Sequence, residues 1–281
     1  MGQIQDLSDL IHRFTGGASG APETIYFFKN GRISGATAPT LTQGRMATLW
    51  RYEGNPTAGT LPSTAEVMYT SSTGAFKVSD ASAGFEKYLI QVGAAGTQAG
   101  AIILYDRLFQ MGNFNATATT ITTVQGDPAS PAITRNVSGA GNFAFYEIET
   151  QIGTTARTIT IQYVNEDGNL ASGTASMGGT NFREASRAQF FSLSGSDHGV
   201  RSIVKFQFDG TTGTAGAFNL VIGKPVAYIP IGNAGGMGWR DFTTGLPSLP
   251  NIPTGACLGI LFWPFSTTAP ELFGAISTVQ A

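Results

Sequence analysis

The chain has 281 residues, of which 12% are charged, and its formal net charge is −2. Charged residues make up about 25% of an average soluble domain, and a surface with so little charge is often one that neighbouring molecules cover. The basic residues are scattered singly and no apolar run reaches the length of a membrane-spanning helix, so we expect neither a nucleic-acid partner nor a membrane span.

The N-terminal segment carries a helical pattern, because apolar residues recur every three or four positions over residues 3–14. They are Ile4, Leu7, Leu10, Ile11 and Phe14. The glycine-rich stretch 15–20 ends this pattern and has the composition of a flexible linker. We therefore predict an N-terminal arm over residues 1–22. Its five apolar side chains bind either its own domain or a partner, since so short a helix is marginal alone.

The next region, residues 23–83, has short apolar or alternating runs separated by turn-rich stretches such as 54–64. This pattern predicts an extended, loop-rich region with few strands. From residue 84 to 232 the spacing becomes regular, with about eight to ten strand-like runs and a turn every 8–12 residues. No helical pattern separates these runs, so we predict an antiparallel two-sheet β-sandwich there.

The clearest strand is RTITIQYV, residues 157–164, followed by a turn in NEDGN. Ile159, Ile161 and Tyr163 share one face of this strand, and threonine and glutamine occupy the other. The last region, residues 233–281, is rich in proline and glycine, and only ACLGILFWPF resembles a final strand. The fold class that we predict is therefore all-β, with a helical arm and loop-rich flanks.

Two carboxylates in the stretch FYEIET, Glu147 and Glu149, lie two residues apart and so share one face of a predicted strand. Such a pair is either an acid/base pair of the kind used in glycoside hydrolysis or a solvated strip outside the sandwich. Retaining enzymes rarely take both carboxylates from one strand in this way. We favour the strip.

The adjacent residues Asp197 and His198 are the best candidate for half of a catalytic or metal site. Neighbours along a strand point to opposite faces, and the chain lacks a recognisable third partner, such as a GxSxG or HExxH motif. We predict a structural loop here, no catalytic, cofactor or metal site in the chain, and a protein that is not an enzyme. Cys257, the single cysteine, is interpreted as a small buried hydrophobe.

The charged neighbours Asp106 and Arg107 follow the apolar run AIILY. Because they point to opposite sides of a strand, we expect each to meet a partner elsewhere in the sheet or across a subunit boundary, and not the other. The three tryptophans, Trp50, Trp239 and Trp263, all lie outside the regular strand region. That position suits subunit contacts as well as a ligand.

Several stretches resemble tailed-bacteriophage virion proteins. They are LWRYEGNP (49–56), AIILYDRLFQMG (101–112), YEIETQIGTTARTITIQYVN (146–165) and SGSDHGVRSIVKFQFDGTTGTAGAFNLVI (194–222). The resemblance runs from about residue 40 to 230. It implies a minor capsid, cement or head-decoration protein with a jelly-roll-like sandwich. Such proteins commonly sit as homo-oligomers, often trimers, on a shell of a different major capsid protein.

We therefore predict a capsid cement protein on the virion head surface, assembled in the host cytoplasm, with the major capsid protein and its own copies as partners. A lone cysteine fits assembly in a reducing compartment. One alternative is a tail or receptor-binding structural protein. Another is a carbohydrate-binding or carbohydrate-active sandwich that uses Glu147 and Glu149, or a tryptophan surface around Trp239.

Overall fold

A computed structural model describes Ser8 and residues 22–33, 38–243 and 249–281 of the chain. Over the three longer ranges the elements are β-strands. They are β1 (Glu23–Ile33), β2 (Ala47–Thr48), β3 (Tyr52–Asn55), β4 (Glu66–Val67), β5 (Lys87–Gly96), β6 (Gly100–Asn115), β7 (Thr122–Thr123), β8 (Phe143–Thr150), β9 (Arg157–Asn165), β10 (Leu170–Met177), β11 (Ala188–Phe190), β12 (Val200–Phe208), β13 (Ala217–Ile231), β14 (Met237–Asp241), β15 (Asn251–Ile252), β16 (Leu258–Pro264) and β17 (Leu272–Gln280). Within the described part of the chain, no helix has the length and apolarity needed to cross a membrane.

The strands form three antiparallel sheets. Sheet A has six strands in the order β14-β5-β17-β1-β3, with β15 also paired to β5. Sheet B has seven strands in the order β11-β8-β13-β6-β16-β2, with β4 also paired to β6. Sheet C has four strands in the order β10-β9-β12-β7.

Two long strands, β6 and β13, connect the two halves of the molecule. They have 16 and 15 residues and pair along almost their whole length. The half that contains Ile102 and Ile229 packs on sheet A residues such as Ile276. The half that contains Phe114 and Phe218 packs on residues of sheet C. Sheet B is therefore shared by two hydrophobic cores, one with sheet A and one with sheet C.

The alternation of side chains explains why sheet C has one buried face, whereas the central strands of sheet B are buried on both faces. In β9, Ile159, Ile161 and Tyr163 are fully buried, as the sequence pattern predicts, and pack in the core under sheet C. Thr160 and Gln162 lie between them and are partly exposed. β9 pairs with β10 across the turn at 166–169, which confirms the predicted hairpin.

The predicted fold class is wrong in two respects. The described residues form three antiparallel sheets instead of one two-sheet sandwich, and the flanks supply most strands of one sheet, although residues 23–83 contain only four strands, two of them of two residues each. Five of the six strands of sheet A come from the flanks: β1, β3, β14, β15 and β17. The flanks pair with each other across the chain, and this long-range pairing leaves no local turn signal.

The helical arm is likewise no part of the all-β architecture. Apart from Ser8, the arm lies outside the described residues, so the proposed binding residues Ile4, Leu7, Leu10, Ile11 and Phe14 have no described contacts. Their role in binding stays a prediction. The boundaries proposed at residues 22, 83 and 232 also stay a prediction.

Candidate interaction surface

The outward face of sheet A is aromatic. The strands β1, β17, β5 and β14 lie side by side, and their register aligns the outward-pointing residues in rows across the sheet. One row is Tyr26, Ala275, Gly93 and Trp239, and the next is Phe28, Phe273, Ala95 and Met237. Residues directly opposite each other on neighbouring strands have Cβ atoms about 5 Å apart. The two rows therefore form one continuous surface, here called the aromatic face.

The large side chains of the aromatic face are open to solvent. Tyr26 is 73% exposed, Met237 63%, Trp239 53%, Phe273 51% and Phe28 40%. Single exposed apolar residues are ordinary on a protein surface, but a contiguous group of this kind marks an interaction site. No other part of the described surface combines five exposed large apolar residues in two adjacent sheet rows.

The local sequence produces this face by strict alternation in β1. Phe27 and Lys29 point inward and are buried, whereas Tyr26 and Phe28 point outward. Phe27 packs edge-on against Phe76, with ring centroids 5.2 Å apart, and this contact fixes which side of the strand faces the core. The exposed aromatics are thus held on a strand that is anchored from below.

Small residues in the middle strands let the large ones lie close to the backbone. A Cβ atom added at Gly93 would lie 2.9 Å from Cε3 of Trp239 and 3.0 Å from Cε of Met237. Both side chains therefore rest against the bare backbone of β5. Ala275 and Ala95 are also small, so the middle of the face lies lower than the large side chains of β1 and β14 on either side.

Polar residues bound the aromatic face at both ends. At one end the hydroxyls of Thr24 and Ser277 lie 3.0 Å apart and share a hydrogen bond. At the other end Asn30 donates a hydrogen bond to Glu53 at 3.1 Å. The two aromatic rows contain no charged side chain. An apolar centre within a polar rim is the usual composition of a protein–protein interface.

The start of β1 is fixed by Glu23. Its carboxylate accepts hydrogen bonds from the backbone N–H of Ser79 at 3.0 Å and from the Ser79 hydroxyl at 2.7 Å. It also forms an ion pair with Lys87 at 3.0 Å. Burial raises the pKa of Glu23, but these hydrogen bonds and the charge of Lys87 outweigh burial and bring the pKa below its usual value.

Beneath the aromatic face, Lys29 is buried without a carboxylate among its hydrogen-bond partners. Its Nζ donates to the backbone carbonyls of Tyr52 at 3.1 Å, Pro56 at 2.8 Å and Thr57 at 3.4 Å. Burial lowers the pKa of Lys29 to about 8. The ammonium group ties β1 to the segment that follows β3.

The structure does not bring Glu147 and Glu149 together as an accessible pair. Glu147 is 1% exposed and forms an ion pair with Arg107, which is fully buried. Arg107 also donates to Gln110 at 2.8 Å and to the Tyr105 hydroxyl at 3.0 Å, and it lies over the ring of Trp50. The predicted solvated strip is therefore wrong for Glu147. A buried carboxylate neutralised by a guanidinium cannot reach a sugar either.

The adjacent pair Asp106–Arg107 behaves as the strand geometry predicts. Each residue has its own partner, on opposite sides of β6. Asp106 accepts two hydrogen bonds from Arg135, both at 2.9 Å, and one from the backbone N–H of Cys257 at 2.8 Å. Cys257 is buried, as predicted, and burial raises the pKa of its thiol to about 12. Both ion pairs are internal supports of sheet B.

Asp197 and His198 lie in the loop between β11 and β12. Asp197 accepts hydrogen bonds from the Tyr163 hydroxyl at 2.7 Å and from Asn165 at 2.9 Å, and these bonds lower the pKa of Asp197. His198 is mostly exposed and lies 2.8 Å from Glu166. Over the described ranges, no group of three or more His, Cys, Asp and Glu side chains has the arrangement that would hold a metal ion.

The outward face of sheet C differs from the aromatic face. Its rows pair Ser172 with Gln162 and Lys205, and Thr174 with Thr160 and Gln207. Except for Thr174, these side chains line a shallow groove of about 450 Å³, together with Ile121, Phe206, Phe208 and Asp209. The two rows themselves consist of hydroxyl, amide and lysine side chains and contain no aromatic residue.

Sequence reasoning did not find the aromatic face, and of its residues only Trp239 was considered, as one of three tryptophans suited to subunit contacts or a ligand. Residues 23–83 were expected to hold few strands, and only the pairing of β1 with β17 makes Tyr26 and Phe28 neighbours of Phe273. The three tryptophans that lie outside the predicted strand region differ in their exposure to solvent. Trp239 and Trp263 are exposed on β14 and β16, and Trp50 is buried over Arg107.

No protein-family model and no curated protein matches the chain. Among solved structures, the chain is 8% identical to that of the Gx strain of infectious bursal disease virus, over 93% of this chain and 78% of that chain, with a TM-score of 0.20. It is 9% identical to the VP2 subviral particle of the same virus, over 93% and 80% of the two chains, with a TM-score of 0.18. Likenesses this weak carry no argument about function, and neither neighbour is a protein of a tailed bacteriophage. The weak structural neighbours of the chain are viral capsid proteins.

Proposed function

We propose that this chain is a virion structural protein of the cement or decoration type, and that it acts by association and not by catalysis. Its partners are copies of itself, with a trimer favoured, and a major capsid protein. Its place is the surface of the virion head, after assembly in the host cytoplasm. The observation that carries the proposal is the aromatic face of sheet A, a solvent-open apolar surface within a polar rim.

The energetics favour repeated contacts in an assembly. Covering five large side chains that are already partly buried contributes roughly 5–10 kcal/mol, against an association cost of roughly 4–15 kcal/mol. One such contact alone gives weak binding. A shell in which each copy makes several contacts multiplies this gain, which suits a symmetric oligomer on a capsid lattice.

The ionisable groups support a role without bond-making chemistry. The buried charges Arg107, Glu147, Asp106 and Arg135 neutralise one another inside the fold. The groove of sheet C is lined by one lysine and one aspartate, Lys205 and Asp209. A catalytic centre needs several perturbed groups around one accessible position.

Sedimentation velocity over a hundredfold range of protein concentration tests the proposal. We expect the full chain to associate as its concentration rises, and the variant Trp239→Ser/Phe273→Ser to require about tenfold more protein, because about 1.4 kcal/mol is lost. The matched control is Ile121→Ser/Leu170→Ser, which removes two exposed apolar side chains near sheet C and should leave association unchanged.

A chain that stays monomeric throughout this range would contradict the proposal. Cryo-electron microscopy of virions then separates the finer alternatives. Density for the chain on the head surface supports a cement protein, and density confined to the tail supports the tail or receptor-binding alternative.

A further inference from the structure

We propose that the N-terminal residues 4–14 cover the aromatic face of their own chain before assembly, and that copies must displace this segment to associate. The second half of this statement rests on the proposed function; the first does not. The occupant is defined by five apolar side chains, which are Ile4, Leu7, Leu10, Ile11 and Phe14.

The size of the segment matches the size of the face. From β1 to β14 the aromatic face crosses three strand spacings, or about 14 Å at about 4.8 Å per spacing. Eleven residues span up to about 36 Å when fully extended, so the segment is long enough to cross the face. The segment has five apolar residues, and the aromatic face has five exposed large apolar side chains to be covered.

The attachment point places the segment beside the face. The arm joins the sheet at Glu23, which is held by Ser79 and Lys87 and so gives a fixed origin. Tyr26, the first aromatic residue of the face, is three residues further along β1, or about 10 Å away at about 3.4 Å per residue.

The linker has the length that favours binding within one molecule. Residues 15–22 contain three glycines and no charged side chain. A flexible chain of eight residues has a root-mean-square span of about 16 Å, close to the distance it must cover. A linker matched to its span gives an effective concentration in the millimolar range. This exceeds the concentration of other copies in a micromolar solution, so the chain's own segment occupies the face first.

The consequence is control of assembly by competition. A neighbouring copy gains the aromatic face only where it displaces the segment, which lowers the apparent affinity between free chains. Many simultaneous contacts on a capsid lattice overcome this competition, whereas a single encounter in solution does not. The segment therefore favours association on the lattice over aggregation in solution.

The test uses the full chain in a Trp263→Phe background, where Trp239 is the accessible indole because Trp50 is buried. The variant Leu7→Asp/Leu10→Asp places charges among the apolar residues of the segment. The matched control Gln5→Asp/His12→Asp places charges at its polar positions. Acrylamide quenching of Trp239 fluorescence measures cover on the face, and sedimentation velocity measures association.

We expect quenching to rise roughly twofold in Leu7→Asp/Leu10→Asp, since a segment at millimolar effective concentration covers the face most of the time. Association of this variant should begin at about tenfold lower protein concentration. The control should match the parent in both measurements. Equal quenching in all three proteins would overturn the inference, and so would cover that appears only as protein concentration rises.

The two proposals fail in different ways. If quenching rises in Leu7→Asp/Leu10→Asp but no protein associates at any concentration, the segment covers the face and the proposed function is wrong. If all three proteins associate equally and show equal quenching, the proposed function stands and the segment has no such role.

Discussion

The outward faces of sheets A and C are built on the same backbone plan but present opposite chemistry. Both sheets are antiparallel, and both bury one face against sheet B. The free face of sheet A shows Tyr26, Phe273 and Trp239 to solvent. The free face of sheet C shows threonine, serine and glutamine, with Lys205 among them.

This difference separates what the fold requires from what the surface adds. An antiparallel sheet with one buried face needs apolar residues at every second position only, and sheet C meets that requirement with polar side chains outside. Sheet A carries a second apolar layer that no core explains. We infer that this layer is present for contact with other molecules, and the following predictions test that inference from the largest effect to the smallest.

The largest effect should come from Arg107→Met, which changes neither outward face. It leaves Glu147 buried without its guanidinium, so we expect the free energy of unfolding to fall by about 3–5 kcal/mol in chemical denaturation. The double variant Arg107→Met/Glu147→Met should recover part of this loss, because no charge is then left buried. Because neither variant changes the aromatic face, association should not weaken together with stability. Weaker association in both variants would show that the aromatic face is not the cause of association.

A smaller effect, dependent on pH, should come from Lys29 beneath the aromatic face. Its pKa is about 8 in the folded chain, below the ordinary 10.5 of a lysine, so folding penalises the charged form. The contribution of Lys29 to stability therefore rises as pH increases from about 8 to 10.5, by about 3 kcal/mol at most.

The measurement is the difference in unfolding free energy between the parent and Lys29→Met at pH 7 and near pH 10. Taking the difference removes the opposite trend of Cys257, whose raised thiol pKa makes stability fall above pH 9. A difference that does not change with pH would show that Lys29 is not buried as described.

The smallest effect should come from adding aromatics to sheet C. Thr160 and Gln162 are outward residues of β9, and the variant Thr160→Tyr/Gln162→Trp gives that face two large apolar side chains. We expect association at about fivefold lower protein concentration, or about 1 kcal/mol, with little change in unfolding. The control Thr160→Ser/Gln162→Asn keeps the face polar. Unchanged association in the aromatic variant would mean that exposed area alone does not drive contact.

Sequence reasoning predicted the half of the molecule whose contacts are local. The hairpin of β9 and β10 follows from alternation and from a turn of a few residues, and both are readable along the chain. β13 was harder to recognise, because Pro225 suggests a break. The structure runs one strand from Ala217 to Ile231 with register shifts on either side of that residue.

The half that was not predicted depends on partners far apart in the chain. β1 pairs with β17 over a separation of about 250 residues, and Glu23 lies opposite Thr278. No short turn in the sequence connects these two strands, so the local pattern gives no reason to pair them. The same reason explains Glu147: its position on a strand was predictable, but its burial depends on Arg107, which lies 40 residues away on β6.

The sharing of β6 and β13 by both cores has a mechanical consequence. A load applied to the sheet A half passes along two continuous covalent strands into the sheet C half, with no hinge between them. We therefore expect the two halves to resist bending relative to each other and to move as one stiff body when the molecule is loaded at one end.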